Sequence, residues 1–560
     1  MKKIYGFLGA LALVAMASCS SEEPVVNTDN GSKQEGDFYM TMTITQAKGS
    51  RTSTPNQGSE VGQDYENAIT NGLFILAETN DEGTIIATAE IAYENITGTS
   101  PAYAASFKMV RERLAAKFEE QDTEKEFAIY VIANAPTALC DKISAKGPDE
   151  DGENAQTVQD VFTLIGETNL DLYWQKNKFL MTNATAAKTN KIKKEDVQPG
   201  AHSTRQTALN LGSVEVQRAM SRIDISKKKL EFQVENQKSP LKGVTFTIDA
   251  ISLINQATTA NLFKEVGTTP SDKKMFTAET YTNYVFSPEQ TQFLDPMYDG
   301  TVSDGKIGGR QKKFTDLNWT LLSDLKTEDN AEYTYEPSEG SNPPRDTPND
   351  DYYIWTYCMP NTNYDKDNQL HGNTTGVVFR VSLTFNATEN PALANAEAAK
   401  TAKKAIYAYG NTLIGTFEDL EAYAESYKDD PDRITTVFNE AKKDWESSSD
   451  QKVKDSKLVE RGFNIYRPNE EGVYYCYYIY WNRHNDNYNN SLMWYTEFAT
   501  VRNNVYKLAL TAINDLGHPA DPDDDNDEDD PGTEDEQDLF WGQVEVNVLP
   551  WAVRINNFEF

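Results

Sequence analysis

Several short segments of this chain alternate apolar and polar residues with a period of two, and this pattern most restricts how the chain can fold. Residues 38–45 are the clearest case, because threonines fill most of one parity while the other parity is apolar. The apolar positions are Phe38, Met40, Met42 and Ile44. Since successive side chains of a β-strand point to opposite faces, this segment is predicted to form a half-buried strand.

Further segments of strand length recur along the chain. Strands are predicted over 73–77, 127–133, 214–216, 223–225, 244–254 and 377–385. The 29 Tyr, 24 Phe and 8 Trp agree with this, because flat rings pack well on a pleated surface. A length of 560 residues exceeds one ordinary domain. We therefore expect a mainly β protein with two domains.

Helical patterns are concentrated between 391 and 447. Asp430-Pro431 is typical of an N-cap followed by proline at the first helical position. One helical face would then carry Ile434, Val437, Phe438, Ala441 and Trp445. Pro391 is predicted to open a helix in the same way, within an alanine-rich stretch over 392–409. These patterns predict a helical insertion, 391–447, between strands of the second domain.

The N-terminus indicates export. Lys2 and Lys3 precede an apolar run over 6–17, which is too short for a membrane span and is typical of a signal peptide. The run ends at Ala17-Ser18-Cys19. Small residues before a cysteine resemble a bacterial lipobox, which implies removal of residues 1–18 and acylation of the Cys19 thiol. A plain secretory signal with an incidental cysteine is the alternative.

Charge and cysteine content exclude several classes of protein. The net charge of −34 repels nucleic acid and anionic lipid, so we expect no nucleic-acid partner and membrane contact only through a lipid anchor. The other cysteines, Cys140, Cys358 and Cys476, are too widely spaced for a disulfide framework or a CxxC metal site. They are predicted to be small buried hydrophobic residues.

Residues 519–538 are acidic and punctuated by proline, which predicts an extended linker. A calcium loop is the alternative. Counting from Asp521, however, Asn526 occupies the position that requires glycine and Gly532 the position that requires glutamate. A solvated linker therefore fits better than a metal site.

Beyond the linker, apolar residues alternate again, with a change of parity at Leu549-Pro550. The apolar positions are Val544, Val546, Val548, Leu549, Trp551, Val553 and Ile555. They predict a terminal strand pair, or one bent strand, whose linker has a reach of tens of ångströms. Such a segment can pair within its own subunit or with another one.

Catalytic patterns are missing from the sequence. The four histidines, His202, His371, His484 and His518, are not within metal-ligand spacing of one another, and there is no HExxH or GxSxG motif. With 87 acidic residues, a glycosidase carboxylate pair is not excluded, but no pair stands out. We expect a protein that is not an enzyme and binds no cofactor and no metal.

An aromatic-rich stretch over 474–495 suggests a different kind of function. Its rings could stack on sugars, and nearby asparagines could bond hydroxyl groups; the residues are Tyr474, Tyr475, Tyr477, Tyr478, Tyr480, Trp481, Asn482, Asn485, Asn487, Tyr488, Trp494 and Tyr495. The simpler interpretation is a strand hairpin whose aromatic side chains are buried. The corresponding alternative function is a monomeric surface lipoprotein that binds carbohydrate.

Several passages together resemble one family. They are Ala17-Ser18-Cys19, the strand at 39–42 followed by Arg51, Ile129-Tyr130-Val131-Ile132-Ala133-Asn134, Val214-Glu215-Val216-Gln217-Arg218 with Arg222-Ile223-Asp224-Ile225, Met359-Pro360-Asn361-Thr362, Val501-Arg502-Asn503-Asn504-Val505-Tyr506, the acidic linker, and Val544 to Trp551. In this order they resemble the FimA/Mfa-type fimbrilins of Bacteroidetes, the subunits of type V pili, and are most similar to the Mfa-type major shaft subunit. The unusual helical content after 391 departs from the family pattern.

The resemblance implies two transthyretin-like β-sandwich domains in tandem. Carried onto this sequence, it implies a lipidated propeptide over 19–51, an N-terminal domain over 52–222 and a C-terminal domain over 223–560. The C-terminal domain would contain the helical insertion, the linker and a donor segment over 540–560.

The resemblance also implies an assembly route. An outer-membrane lipoprotein is cut by a trypsin-like protease between Arg51 and Thr52, or at Lys48, and loses the strand at 38–45. The donor segment of an identical or related subunit then fills the groove, as in other β-augmentation, and a head-to-tail contact of this kind can grow a filament. Host or bacterial surface glycans or proteins are further expected partners. In the alternative, both terminal strands simply complete their own domains.

Overall fold

A computed structural model describes most of the chain after residue 37. The described residues are 38–46, 60–80, 83–144, 156–161, 165–166, 170–184, 188–227, 229–264, 266–267, 292–293, 302–303, 306–307, 317–326, 352–362, 369–445, 448–484, 492–493, 497–519 and 542–552. The signal peptide, Cys19, the cut site at Arg51 and Thr52, and nearly all of the acidic linker lie outside these ranges.

The first part of the chain is built mainly of strands. They are β1 (Phe38–Gln46), β2 (Glu60–Val61), β3 (Gly72–Glu78), β4 (Ile85–Ile91), β5 (Ile96–Thr99), β6 (Ala102–Met109), β7 (Glu124–Ala133), β8 (Ile165–Gly166), β9 (Trp174–Gln175), β10 (Lys178–Phe179), β11 (Met181–Asn183), β12 (Lys188–Lys193) and β13 (Leu209–Arg218). Short helices connect them: α1 (Asp64–Asn67), α2 (Arg111–Ala115), α3 (Thr137–Ser144) and α4 (Val158–Val161).

The second part contains the remaining strands and longer helices. The strands are β14 (Ser221–Ser226), β15 (Glu231–Gln233), β16 (Val244–Ile254), β17 (Thr259–Ala260), β18 (Val266–Gly267), β19 (Gln292–Phe293), β20 (Val302–Ser303), β21 (Lys306–Ile307), β22 (Thr320–Leu321), β23 (Tyr352–Cys358), β24 (Asn361–Thr362), β25 (Gly376–Phe385), β26 (Ile406–Tyr409), β27 (Thr412–Gly415), β28 (Phe463–Tyr466), β29 (Tyr474–Trp481), β30 (Ala499–Thr500), β31 (Asn504–Ile513), β32 (His518–Pro519) and β33 (Gly542–Ala552). The helices are α5 (Ala394–Thr401), α6 (Phe417–Ser426), α7 (Arg433–Asp444) and α8 (Gln451–Val459).

The prediction of a mainly β protein is confirmed. Each segment predicted as a strand from its apolar pattern lies in a strand, and β16 has the predicted bounds. The reason is burial, because long stretches of β3, β7 and β25 are buried on both faces. Strands covered on both sides need nearly continuous apolar sequences.

The strands form three large sheets. The N-terminal sheet has the order β4-β3-β7-β11-β13-β1-β6-β5, with β12 beside β7. The second sheet has the order β2-β33-β31-β14-β23, and the third has the order β15-β16-β25-β29-β32, with β22 beside β16. Side chains of the second and third sheets share one core, which includes Ile223 and Leu508 from the former and Phe379 and Tyr478 from the latter.

The region after β25 contains more than helices. Pro391 opens a short 3-10 helix with Asn390 as its N-cap, as predicted, and α5 follows. However, residues 406–409 form β26, which lies between β27 and β28. The prediction that 392–409 is wholly helical is therefore wrong, and so is the limit at 447, because α8 follows it.

The start of α7 also differs from the prediction. Its N-cap is Asp432, whose carboxylate accepts the Thr435 backbone N–H at 2.7 Å. Asp430 and Pro431 precede the cap and take no part in it. The predicted apolar face is confirmed, since Ile434, Val437, Phe438, Ala441 and Trp445 are all buried in one core. None of the helices in the described ranges has the length and apolar composition that crossing a membrane requires.

Candidate functional site: the two terminal strands and their junction

β1 is an interior strand of the N-terminal sheet. It runs parallel to β13, with Ile44 opposite Val214, and antiparallel to β6, with Met40 opposite Phe107. Its side chains alternate strictly between buried and half-buried positions. The strand predicted over 38–45 is therefore present, and it extends to Gln46. Without β1, two sheet edges would face each other across a gap.

The inward side chains of β1 fill the core of this sheet. Phe38, Met40 and Ile44 are fully buried, and Met42 is 2% exposed. Burying four such side chains is worth roughly 6–12 kcal/mol in total. The Arg111 guanidinium lies over the Phe38 ring at 5.1 Å from its centroid. A chain that loses this strand exposes a long apolar slot that only another alternating strand can fill.

The C-terminal end of β1, at Gln46, contacts the end of α1 and the turn before β6. The side-chain amide of Gln46 donates to the Asn67 backbone oxygen at 2.6 Å, and the Tyr103 hydroxyl donates to the same oxygen at 3.0 Å. The Ser100 hydroxyl donates to Gln46 at 3.0 Å. Gln46 is thus a fixed end point for β1, although sequence alternation alone places the end one residue earlier.

The C-terminal strand β33 pairs within its own chain. It is antiparallel to β31, from Asn504 opposite Pro550 to Ile513 opposite Gly542, and its last residues run parallel to β2. Val544, Val546, Val548, Leu549 and Trp551 lie on this strand, while Val553 and Ile555 lie outside the described residues. In the uncut chain both terminal strands are therefore paired internally, which is the alternative arrangement left open by the sequence.

Of the two predicted arrangements, a strand pair and a single strand, the structure shows a single strand, because β33 continues through Leu549-Pro550 to Ala552. Proline has no backbone N–H and is tolerated mainly at sheet edges. β2 pairs only with Trp551 and Ala552. Over the rest of its length, the side of β33 away from β31 has no strand partner among the described residues, so proline fits there.

A buried charged cluster joins the two parts of the chain. Nη1 of Arg222 donates to both Glu66 oxygens at 3.1 Å, and its Nε and Nη2 each donate to Asp224 at 2.9 Å. The Tyr357 hydroxyl donates to Glu66 at 2.6 Å. Lys507 approaches Asp224 at 3.8 Å. These residues come from α1, β14, β23 and β31, so the cluster ties the two halves at their contact.

A second arginine extends this cluster. Arg218 donates to the side chains of Asn67 and Asn503 and to the backbone oxygen of Glu66. Burial lowers the pKa of the Arg218 guanidinium to about 10, partly offset by the negative charge of Glu66. The family resemblance implied a domain boundary after residue 222, next to this cluster, but Glu66, Asn67 and Tyr357 were not predicted as its members. Two arginines in largely apolar strands are the signal that buried carboxylates must exist.

The aromatic stretch does not present its described rings to solvent. Tyr474, Tyr477, Tyr478, Tyr480 and Trp481 are buried in β29, as the simpler interpretation predicts. Tyr475 is half-buried, and the Arg380 guanidinium lies over its ring at 4.8 Å from the centroid. Asn482 is buried and donates to the Ala499 backbone oxygen at 2.6 Å. Asn485, Asn487, Tyr488, Trp494 and Tyr495 lie outside the described residues.

The described residues hold no group of three or more His, Cys, Asp or Glu side chains arranged to bind a metal ion. His484 is buried against Tyr506, with Nδ1 and the hydroxyl 2.9 Å apart, and burial lowers its pKa to about 3. Cys140, Cys358 and Cys476 are buried and unpaired, and burial raises the pKa of the Cys476 thiol to about 12. These groups are structural members of the core.

The structure is thus mainly β, with β1 in the interior of one sheet and with β33 paired, among the described strands, to β31 alone except at its last two residues, where β2 also pairs with it. Residues 470–557 match the family model described as major fimbrial subunit protein type IV, fimbrillin, C-terminal. The match confirms the resemblance to fimbrilins. The matched model describes fimbrial subunits, which are structural proteins of the cell-surface fimbrium and not enzymes.

Three solved structures of bacterial proteins are among those that match this chain along most of its length. A proposed cell adhesion protein of Parabacteroides distasonis is 11% identical, with 94% of this chain and 100% of that chain covered at a TM-score of 0.40. The fimbrilin FimA of Porphyromonas gingivalis is 12% identical, with 93% and 99% covered at 0.36. The tip fimbrial protein Mfa3 of the same organism is 10% identical, with 92% and 100% covered at 0.31.

No curated protein is similar enough to this sequence to count as a match.

Proposed function

We propose that this protein is a structural subunit of a fimbria that polymerises by β-strand exchange and supports adhesion or biofilm formation. The observation that carries the proposal is the position of β1, an interior strand that lies between β6 and β13. Its four apolar side chains are buried in the core. Removing it would leave unpaired backbone groups and an apolar slot, both of which are unfavourable in water.

The proposed architecture is two transthyretin-like β-sandwich domains in tandem, over 52–222 and 223–560. It is supported by the change of sheet close to this boundary, because β13 ends at Arg218 and β14, which spans Ser221–Ser226, lies in a different sheet. The change of sheet thus falls before Ser221, slightly ahead of the proposed boundary. The region that begins at 391 is then an insertion in the second domain. It contains the helices α5 to α8 as well as the strands β26 to β28.

The proposed precursor is an outer-membrane lipoprotein acylated at Cys19. A trypsin-like protease cuts between Arg51 and Thr52, and β1 leaves with the propeptide. The segment 540–560 of an identical or related subunit then enters the vacated slot. Before the cut, β1 occupies the slot and prevents early polymerisation.

Carbohydrate binding by the aromatic stretch is the weaker candidate. Five of its rings are buried, and the half-buried ring of Tyr475 is already covered by Arg380. Stacking on a sugar requires an accessible ring face, so the described rings favour a structural role. Host or bacterial surface glycans or proteins are also proposed as partners of the assembled fimbria.

The test uses purified protein without residues 1–19. Trace trypsin is added, the new N-terminus is sequenced, and SDS-resistant ladders are followed over days. A cut at Arg51, followed by ladders that disappear when 540–560 is deleted, is the expected result. A stable monomer after the cut, or ladders that persist without 540–560, would refute strand exchange.

A further inference from the structure

The chain between the last two long strands does not turn back directly. β31 ends at Ile513, and its antiparallel partner β33 begins at Gly542, directly opposite. Strands paired in this way can be joined by about two to five residues. Here residues 515–519 instead cross to the third sheet, where β32 pairs with β29. β31 and β33 are therefore paired without being joined as a hairpin.

One asparagine holds the beginning of this crossing. The side-chain Nδ2 of Asn411 donates to the Asp515 carboxylate, and its Oδ1 accepts the Leu516 backbone N–H at 3.0 Å. The Leu516 side chain is 2% exposed and belongs to the core between the second and third sheets. Both the backbone and the side chain of the crossing are thus fixed at this point.

Two buried tyrosines hold its centre. The Tyr466 hydroxyl donates to the Gly517 backbone oxygen at 2.8 Å. The Tyr478 hydroxyl donates to the Asp515 backbone oxygen at 2.8 Å and accepts the Gly517 backbone N–H at 3.1 Å. A Cβ on Gly517 would lie 2.6 Å from the Tyr477 backbone oxygen, so only glycine allows this close approach. We call residues 515–519 with Asn411, Tyr466 and Tyr478 the anchor.

Much of the anchor is supplied by the region inserted after β25. Asn411 lies in the turn between β26 and β27, and Tyr466 is the last residue of β28. These strands form a three-stranded sheet on which α6, α7 and α8 pack, with a hydrophobic core of their own. A compact unit with its own core gives Asn411 and Tyr466 a rigid base.

We propose that the anchor is a positioning device for strand exchange with a second copy of this chain. It fixes the point from which segment 540–560 reaches the neighbouring subunit, and this inference rests on the proposed function. The hydrogen bonds of the anchor run to β28, β29 and the β26–β27 turn. β33 can therefore leave β31 while residues 515–519 keep their place on the third sheet.

A fixed starting point for the tether matters because the effective concentration of a tethered segment depends on the length of the tether relative to the distance it must span. That distance depends on where the tether begins. Twenty-two residues, 520–541, separate the anchor from β33. With the anchor intact, the tether to segment 540–560 begins at the third sheet, at a fixed position relative to a docked neighbouring subunit. Without it, the segment starts from the end of β31 and samples a different volume.

The experiment compares two anchor variants with two matched controls. Asn411→Ala and Tyr466→Phe each remove anchor hydrogen bonds, and Tyr466→Phe does so with little change in volume. Asn439→Ala, on the exposed face of α7, and Tyr93→Phe, at a side chain 70% exposed, make the same chemical changes elsewhere. Hydrogen exchange first reports protection of the Leu516 and Gly517 amides in uncut protein. Trypsin is then added and the rate of ladder formation is measured.

The expected result is a loss of amide protection at Leu516 and Gly517 in both anchor variants, with ladders forming at least about 1.4-fold more slowly. This factor follows because the tether then runs from residue 514 instead of 520, and the effective concentration falls roughly as the −3/2 power of tether length. The controls should match the unaltered chain. An anchor variant that loses protection and still assembles at the unaltered rate would overturn the positioning role. So would retained protection in the Asn411→Ala, Tyr466→Phe double variant. If the unaltered chain forms no ladders, the proposed function itself fails, which is a separate outcome.

Discussion

Arg222 and Glu66 form an ion pair with no solvent exposure of either side chain, in which one guanidinium nitrogen lies 3.1 Å from each carboxylate oxygen. The two residues are 156 positions apart in the sequence. Removing charges from water is unfavourable, and only close, well-oriented partners compensate. Asp224 and Tyr357 are further hydrogen-bond partners of this pair. The pair therefore fixes the position of α1 against β14 of the second sheet.

Replacing one member of this pair should strongly destabilise the protein. For Arg222→Met we expect a loss of about 3–5 kcal/mol in the free energy of unfolding, because Glu66 and Asp224 would keep buried charges without their main partner. Urea unfolding measures the loss. As a control, Arg461→Ala, at a partly exposed side chain paired with Asp444, should change stability by less than about 1 kcal/mol. Equal effects of the two changes would contradict this assignment.

Truncation of a core residue in β1 should separate the uncut from the cut protein. Met42→Ala is expected to reduce the stability of uncut protein by about 2–5 kcal/mol, because the side chain is 2% exposed and leaves a cavity. If β1 is released after cleavage at Arg51, the cut and assembled protein should not show this loss. Thermal unfolding of both forms measures the difference. Thr43→Ala, on the half-buried face, is the control.

A loss of equal size before and after cleavage would mean that β1 stays in its sheet. The strand-exchange proposal would then be wrong, even if a cut at Arg51 occurs.

Acid should weaken the protein in part through His484. Burial holds the pKa of this imidazole near 3, against an ordinary value of 6.5. Between these values the unfolded chain binds a proton that the folded chain does not, so stability falls as pH is lowered from about 6.5 towards 3. The contribution approaches about 1.4 kcal/mol per pH unit within this window. Urea unfolding from pH 7 to pH 4 measures the slope.

In His484→Gln, the unfolding free energy should change with pH less steeply, by up to about 1.4 kcal/mol per pH unit, which corresponds to one proton. The contribution of the carboxylates should be unchanged. His518→Gln, at a half-buried side chain, controls for the loss of an imidazole. An unchanged slope in His484→Gln would show that the imidazole is accessible enough to protonate in the folded state.

The two aspartates before α7 should differ in their contribution to stability. Asp432→Ala removes the N-cap that accepts the Thr435 N–H, and a loss of about 1 kcal/mol is expected. Asp430→Ala, at the position suggested by sequence, should be nearly neutral because that carboxylate caps nothing in the structure. Thermal unfolding of both variants decides between the two positions. A larger loss at Asp430 would favour the sequence-based assignment.

A period-two pattern predicted β1 because burial alternates along this strand, whereas β3, β7 and β25 were predicted from nearly continuous apolar runs. The apolar parity of residues 38–45 is the buried face of β1. A short run such as Ile406 to Tyr409 gives no such information, since four apolar residues suit a helix or a strand equally well. Its pairing with β28, more than fifty residues later, decides the outcome.

The junction shows a different limit of sequence reasoning. Arg218 and Arg222 mark a place where charge is buried, but nothing near them in the sequence identifies Glu66 or Tyr357 as partners. With 87 acidic residues in the chain, the choice of carboxylate depends on the folded arrangement of α1, β14 and β23. The anchor at Gly517 was missed for the same reason, since its partners lie in three separate strands or turns.

The neighbours of β1 have a consequence for the direction of any strand that takes its place. One neighbour, β13, runs the same way as β1, and the other, β6, runs the opposite way. A newcomer entering from either end would thus find one parallel and one antiparallel ladder. Backbone hydrogen bonding alone therefore does not determine the direction of a strand in the slot left by β1. The order of side chains along the incoming strand must determine its direction.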